Sequence, residues 1–571
     1  MDAIEARATL ETWRRAFPED PYREEGHLRR WNRRALDPKR AAELERAAAA
    51  FGRRVVAEVG PAAERYEHRA HLPELVGRDW LGRPTEEIRF DPDYHRAGRA
   101  VWESGVVAYV GTPGRAFEQA TLLYLLSLEG EAGHACPVVC SIGLARALRR
   151  KAGPAVRDRF LPALLERDYD RAERGSQFLT EIQGGSDVGA NGCTAVTRED
   201  GSYEISGEKW FCSVADADQF LVTARPAGAR AGTAGLGCFI VPRTVGGQPN
   251  GFRVRRLKEK LGTRGLATGE IEFDGALGWP IGPLEEGFKI AAGVVLNTSR
   301  WLTSVGSAGM MRRAYLEASR FARLRCAFGR PIGEFPAVRT TLARIKTRWL
   351  GALHATWLLT DLEDQIDADT ASDESVALHR FLVNATKFQV SSAATGVVRD
   401  AIEVLGGNGT IEDFSVLPRL YRDAIVYESW EGTHDVLVAQ VLADTRELGL
   451  AAVVDSRLRD LLESVSEPAA KSAVETTLAA LDGATALVSR AVDDASFGAT
   501  HFRACLGQVM RVVEVATLLY MADDNGQDSE ELLAAADLAV RLGLDRDYRP
   551  EADPGFLDRV DAVLGSEALN P

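Results

Sequence analysis

Between Cys193 and Gly275 the chain reads CTAVTRE (193–199), YEIS (203–206), QFLVTAR (219–225), GCFIVPR (237–243), FRVRRLK (252–258) and GEIEFDG (269–275). Short runs rich in β-branched and aromatic residues, set between turn residues, are strand signatures. Asp200-Gly201, between the first two runs, is a hairpin dipeptide. Six or more such strands over roughly a hundred residues predict a small antiparallel barrel or sandwich, and the change of texture places this β domain at residues 176–285.

On either side the period is helical. From Ala41 to about Arg171 the chain is rich in Ala, Leu, Glu and Arg, with Ala116, Ala120, Leu123 and Leu126 at helical spacing ahead of Gly130. Residues 1–175 are therefore expected to form an N-terminal helical domain. After Pro283 helices are predicted at about 286–327, 335–365 and 373–404, with a fourth starting near Thr433, a bundle spanning 286–449. Val338, Leu342, Ile345, Trp349 and Leu353 form one apolar stripe on the second of these. Residues 450–571 read as a further helical domain, and from 451 onward 10 Lys and Arg face 22 Asp and Glu, a local charge of −12. The predicted class is mainly α with a central β domain (α+β).

A chain of 571 residues needs several hydrophobic cores. With 45% hydrophobic and 27% charged residues it falls among ordinary globular proteins, not disordered or fibrous ones. A net charge of −14 repels polyphosphates as a whole, so any nucleic-acid contact would need a local basic patch. The seven cysteines contain no CxxC pair or zinc spacing and read as reduced thiols, with no metal site. The first fifteen residues lack the apolar core of a secretory signal. No run approaches the ~20 apolar residues of a membrane span. The expectation is a cytoplasmic protein without a membrane partner.

Four segments at the expected domain junctions carry chemistry: FLTEIQGGSD (178–187), GEKWFCS (207–213), RCAFGRPI (325–332), and EVLGGNG (403–409) continuing to Tyr421-Arg422-Asp423 and Trp430-Glu431-Gly432-Thr433. In the first, Thr and Ser hydroxyls and two glycines let backbone amides approach a phosphate or the edge of a planar ring. The second sets an aromatic beside small hydroxyls, suited to stacking on a heteroaromatic, although a β-domain core aromatic reads the same way. In the third, Arg325 suits a diphosphate clamp or a helix-dipole partner. The glycine run is a helix C-cap by default, and Thr433 with Asp435 reads as a helix start.

Together, in this order and spacing, the motifs resemble the acyl-CoA dehydrogenase superfamily of flavoproteins over about residues 75–447. GRDWLGRPTEEIRFDPDYH (77–95), EAGHACPV (131–138), TEIQGGSD (180–187) and SWEGT (429–433) resemble its alkylation-response, AidB-like branch. The resemblance implies FAD held noncovalently between the β domain and the bundle. It assigns cofactor contacts to Phe178, Leu179, Thr180, Ser186, Phe211, Cys212, Ser213, Arg325, Phe328, Glu403, Gly407, Trp430, Thr433, His434 and Asp435, and substrate contacts to Ser186 and Arg300, the latter equally readable as a structural ion pair. Counterparts of Arg325, Glu403 and Gly407 reach the FAD of a neighbouring subunit in the family, which implies a homodimer or homotetramer. Glu403 stands where many relatives have Gln, and Ala327 where many have Thr or Ser; a carboxylate beside a diphosphate would repel it.

The implied reaction removes a weakly acidic α-proton from an acyl thioester while hydride leaves the β-carbon for flavin N5, and Glu431 is the expected base. The thioester oxygen gains charge in the transition state and needs oriented donors. The carrier, CoA or a carrier protein, and the electron acceptor stay open. Two other functions stay open as well. One is a DNA-associated alkylation-response flavoprotein, which the tail charge of −12 disfavours. The other is a flavin oxidase or monooxygenase, disfavoured by the retained Glu431.

Overall fold

The computed structural model describes residues 3–15, 17–523 and 528–565, which group into two compact units: residues 1–53 with 303–571, and Arg54–Leu302.

The second unit holds the β domain. Its sheet has seven strands: β1 Gly175–Phe178, β2 Thr194–Thr197, β3 Tyr203–Ser213, β4 Gln219–Pro226, β5 Gly237–Pro242, β6 Phe252–Leu257 and β7 Thr268–Pro280. They pair in the order β6-β7-β3-β2-β4-β1, and β5 joins β4 to β7, which closes the sheet into a barrel. The closure is not wholly antiparallel as the sequence suggested, because β1 and β2 each run parallel to β4. β5 is buried at every position, as is β4 from Gln219 to Ala224, so neither shows alternation, whereas β6 alternates buried Phe252 and Val254 with exposed Arg253 and Arg255. The Asp200-Gly201 hairpin forms as read: Asp200 accepts from the Ser202 amide and Gly201 takes φ +80°.

The helices of the same unit pack tightly. Ala116–Leu126 is buried around its whole circumference and stops at Gly130, φ +76°. The EAGHACPV segment is structural. Glu131, fully buried, accepts from the Gly133 and Cys136 amides at 2.8 and 3.0 Å. His134 stacks on Tyr94 and meets its carbonyl at 2.8 Å, and burial pushes the imidazole down to about 3.

The helix Asn297–Leu324 starts in the second unit, after a π-helical turn at Ala291–Leu296, and passes into the first at Thr303; the first unit's other long helices are Pro336–Asp367, Asp373–Leu405 and His434–Leu448. Asn297–Leu324 ends before residue 327 because Cys326–Ala327 pairs with Arg330–Pro331 in a small hairpin. Leu417–Ser429 is a further helix that the sequence reading left out. Pro336–Asp367 has more than the one stripe expected: from Trp349 to Trp357 every residue is buried, because tail helices Ala495–Ala522, Ser529–Gly543 and Phe556–Leu564 pack on it besides Asp373–Leu405.

Residues 3–53, read with the N-terminal helical domain, belong with this bundle. Trp13 stacks on Phe414, Trp31 Nε1 donates to His354 Nδ1 at 2.7 Å, and Arg40 makes a two-pronged pair with Asp364. Among the described residues one helix, Ala495–Ala522, is long and apolar enough to cross a bilayer, contrary to the sequence reading, and 67% of its apolar window is buried within the chain. It is apolar because helices pack around it.

Two substitutions test what fixes the β domain. Gly287 follows the barrel, and a Cβ there would strike backbone atoms of Leu236, Gly237 and Cys238, so Gly287→Ala should cost about 1–3 kcal/mol in chemical denaturation. Lys209 and Glu181 form a fully enclosed ion pair, Nζ to Oε1 2.7 Å. Lys209→Met should cost about 3–5 kcal/mol, and adding Glu181→Gln should recover part of that loss.

Candidate active site

The residues marked by the motifs fall in two groups, one per unit. In the β-domain unit, β1 runs into the TEIQGGSD loop. Glu181 is its anchor, accepting from Lys209 Nζ, from Gln183 Nε2 at 2.7 Å, and from the Gly192 and Cys193 amides at 2.6 and 3.2 Å. Burial raises the Glu181 carboxyl, but Lys209 and these amides more than offset it and hold it below the usual carboxylate range. Lys209 Nζ also donates to the Leu179 carbonyl at 3.2 Å, and the Thr180 carbonyl accepts from the Trp210 amide at 2.9 Å. Leu179 is thus tied down through its backbone. A Cβ on Gly184 would collide with Asn191 and come within 2.7 Å of the Asp187 carbonyl, which restricts this corner to glycine. Gly185 and Ser186 lie exposed beside it.

Along β3 the assigned side chains separate by strand alternation. Phe211 is 56% exposed, and Lys258 Nζ lies 3.5 Å above the neighbouring Trp210 ring and 4.9 Å from Phe211. Cys212 points inward, fully buried, its thiol pushed well up by burial and so inert as a nucleophile or anion. Ser213 is half-buried, its Oγ 3.3 Å from Thr268 Oγ1. Val214, immediately after, is a β-branched residue at φ +56°, a strained backbone at the end of the motif. Phe178 is fully enclosed and stacks on Phe220 at 5.1 Å, so its side chain belongs to the barrel core and not to a ligand surface. Arg300 is 4% exposed, and its Nη1 meets Asn297 Oδ1 at 3.3 Å in the turn that follows the π-helical segment.

In the other unit, Arg325 follows its helix directly, and Phe328 tops the small hairpin at φ +53°, 97% exposed. Glu403 and Gly407 are exposed at the end of Asp373–Leu405, and the Glu403 carbonyl accepts the capping amide of Gly406. Gly409 must be glycine, since a Cβ would press on the Ile402 backbone at 2.5 Å.

The turn from Ser429 to Thr433 is the most heavily braced of these segments. Trp430 stacks on Tyr427 at 5.1 Å and 28°. Lys387, fully buried, donates to the carbonyls of Glu428 at 2.8 Å and Gly432 at 3.0 Å, gripping both ends. Across the turn His434 Nε2 meets Glu428 Oε2 at 2.8 Å while the Thr395 hydroxyl donates to Oε1. Burial raises the Glu428 carboxyl, but His434, Thr395 and Lys387 together hold it below its usual value. His434 is therefore a brace. Thr433 is the N-cap of His434–Leu448 by backbone only, and Asp435 is exposed and paired with Arg503 at 2.8 Å. At the centre sits Glu431, a non-glycine residue at φ +57° followed by Gly432 at φ +108°.

The donor set suits a flavin nucleotide. Neutral hydroxyls at Thr180, Ser186 and Ser213 and glycine amides can meet phosphate oxygens and a heteroaromatic edge, and Phe211 offers an open aromatic face. Lys209, Val214, Lys387 and Glu428 had no role in the sequence reading.

Three family profiles match: the acyl-CoA dehydrogenase middle domain at residues 176–276, its C-terminal domain at 285–445, and the N-terminal domain of the adaptive response protein AidB at 15–171. The putative acyl-CoA dehydrogenase AidB of Escherichia coli (strain K12) is 34% identical over 388 residues, 65% of this chain and 68% of that one. Acyl-CoA dehydrogenase family member 11 of Caenorhabditis elegans is 31% identical over 540 residues, 89% of this chain and 85% of that one. The crystal structure of Caenorhabditis elegans ACDH-11 in complex with C11-CoA superposes with a TM-score of 0.86 at 27% identity, covering 93% of this chain and 92% of that one. With the barrel, the bundle and the motif loops in place, the chain belongs to the acyl-CoA dehydrogenase family of flavin-dependent oxidoreductases, on its AidB-like branch.

Proposed function

We propose that this protein is an FAD-dependent dehydrogenase of an acyl-CoA thioester, with Glu431 as the base that takes the α-proton. The observation that carries the reading is the backbone of Glu431. A non-glycine residue in the left-handed region costs on the order of 1–3 kcal/mol and persists where its surroundings enforce it. Here Lys387 and the His434–Glu428 bridge hold the turn on which Glu431 sits. Strain kept at a side chain of useful chemistry marks function.

Bound FAD supplies the hydride acceptor. Thr180, Ser186, Ser213 and the Gly184-Gly185 corner would hold it, and the exposed ring of Phe211 would offer a stacking surface. Lys387 fixes the height of the turn, so the Glu431 carboxylate is presented without reorganisation when the α-proton leaves. The Glu431 amide is the donor assigned to the thioester oxygen. Trp430, next to Glu431, is held in place by its stack on Tyr427. The C11-CoA bound by the Caenorhabditis elegans relative supports CoA as the carrier. The exposure of Arg325, Glu403 and Gly407 supports a homo-oligomer in which they serve a neighbouring subunit's FAD.

Glu431→Gln should retain FAD and lower the rate of flavin bleaching by an acyl-CoA panel about 100- to 10,000-fold in stopped flow; bleaching at the wild-type rate would remove Glu431 from the mechanism. Glu431→Gly should be as inactive, yet no less heat-stable than wild type, because it relieves the strained backbone. The Glu428 brace gives a pH signature. A carboxyl held below its usual value contributes stability that is complete above the ordinary carboxylate pKa and is lost as pH falls through the lowered one. Glu428→Gln should flatten that acid limb in melting temperature against pH while retaining FAD.

A further inference from the structure

β3 ends in a relay of three hydrogen-bonding side chains. Ser213 stands opposite Thr268 of β7, their hydroxyl oxygens 3.3 Å apart. Lys260, in the segment between β6 and β7, reaches Thr268 Oγ1 with its ammonium at 3.0 Å and the Leu266 carbonyl at 2.8 Å. The backbone beneath is pinned: Val214 is held at φ +56°, and the Ala215 amide donates to the Ala267 carbonyl at 3.1 Å.

The direction of this relay follows from which groups can give a proton. An ammonium only donates, so Thr268 Oγ1 accepts from Lys260. Thr268 still carries one hydroxyl proton and is 4% exposed, so that proton needs an acceptor within the protein. Among the described residues the other hydrogen-bond partner of the hydroxyl is Ser213 Oγ. Were Ser213 to donate instead, the Thr268 oxygen would accept twice and its buried proton would go unmatched. Lys260 therefore donates to Thr268 and Thr268 to Ser213, which leaves the Ser213 proton for a group outside the relay. Ser213 is half-buried, on the same face of β3 as Phe211 two residues before it, whose ring is 56% exposed. A heteroaromatic ring stacked on Phe211 would meet, at its edge, a hydroxyl committed to donating.

We propose that Lys260 is a positioning residue for FAD: acting through Thr268, it fixes the Ser213 hydroxyl as a donor to an acceptor atom on the edge of the flavin ring. The oxidised ring presents acceptors at N5 and at its two carbonyl oxygens. A hydroxyl at the end of a relay that starts from an ammonium binds such an atom more strongly than one that is free to turn, because successive hydrogen bonds polarise one another. The inference rests on the assignment of Ser213 to FAD above, and adds which way its bond runs and which residue sets it.

Full-length protein freed of FAD and titrated with oxidised FAD, with the bound flavin's visible absorption recorded, tests this. Lys260→Met should weaken binding about fivefold and move the absorption band, as loss of a hydrogen bond to the ring does and loosened packing elsewhere does not. In a Ser213→Ala background Lys260→Met should change neither quantity further, since the two residues act as one unit. Thr268→Val should reproduce Lys260→Met, and Thr268→Ser, which restores the hydroxyl, should recover most of both effects; this pair carries the test independently of how well Lys260→Met folds. Wild-type affinity and spectrum in Lys260→Met and Thr268→Val, or effects of Lys260→Met and Ser213→Ala that simply add, would overturn the role of Lys260 alone. A wild-type protein that takes up no FAD would overturn the cofactor assignment together with it.

Discussion

A lysine ammonium enclosed in protein must give its charge and its three protons to oxygen atoms, and this requirement organises both halves of the chemistry. Lys209 and Lys387 are each fully buried. Lys209 spends its donors on Glu181, on the Leu179 carbonyl and, at 3.4 Å, on the Thr223 hydroxyl. Lys387 spends two of its donors on carbonyls at either end of the Glu431 turn. In each case a polar loop is fastened to a rigid element, β3 in one unit and the helix Asp373–Leu405 in the other. Loops fixed in this way can carry ligand groups without the looseness that surface segments otherwise have.

One of these lysines also holds a strained position, and two further strained positions lie at the other motif segments. Val214, Phe328 and Glu431 are three of the six non-glycine residues at positive φ among the described residues, and each lies in or directly after a motif segment. A strand end or turn relaxes out of the left-handed region unless neighbours hold it. Ser213 and Thr268 share a hydrogen bond beside Val214, and Lys387 grips the Glu431 turn. Phe328 has less to hold it, only an edge contact with Phe335 at 6.2 Å on a two-residue hairpin.

Much of this was legible in the sequence. The six strand runs and the Asp200-Gly201 hairpin follow from β-branched and aromatic composition and turn chemistry, and three long helices of the bundle follow from period, to within a few residues. The helix Leu417–Ser429 was missed because it follows a glycine run and opens on Pro418, residues read as breakers although Pro is well placed in a first turn. Phe178 and Cys212 were assigned to the ligand because motif matching does not distinguish the two faces of a strand. Lys387 was overlooked although its signal was present: it is the one charged residue between Phe381 and Val398. A lone charge in such a run is either exposed or committed to buried oxygen atoms, and only the packed structure decides which.

The acidic tail also acquires a physical account. Many of its carboxylates hold its own structure: Asp455 and Asp482 both meet Arg459, Asp537 meets Arg541 and Arg559, Asp553 accepts from Tyr548 and the Gly555 amide, Asp494 caps the helix Ala495–Ala522, and Asp523 accepts from the amides of Ser466 and Glu467. Caps and shared pairs use more acids than bases, which accounts for part of the tail's −12. Internal pairing changes local contacts and leaves the distant field untouched, since that field depends on net charge. A polyanion approaching from solution is therefore repelled by the tail as a whole.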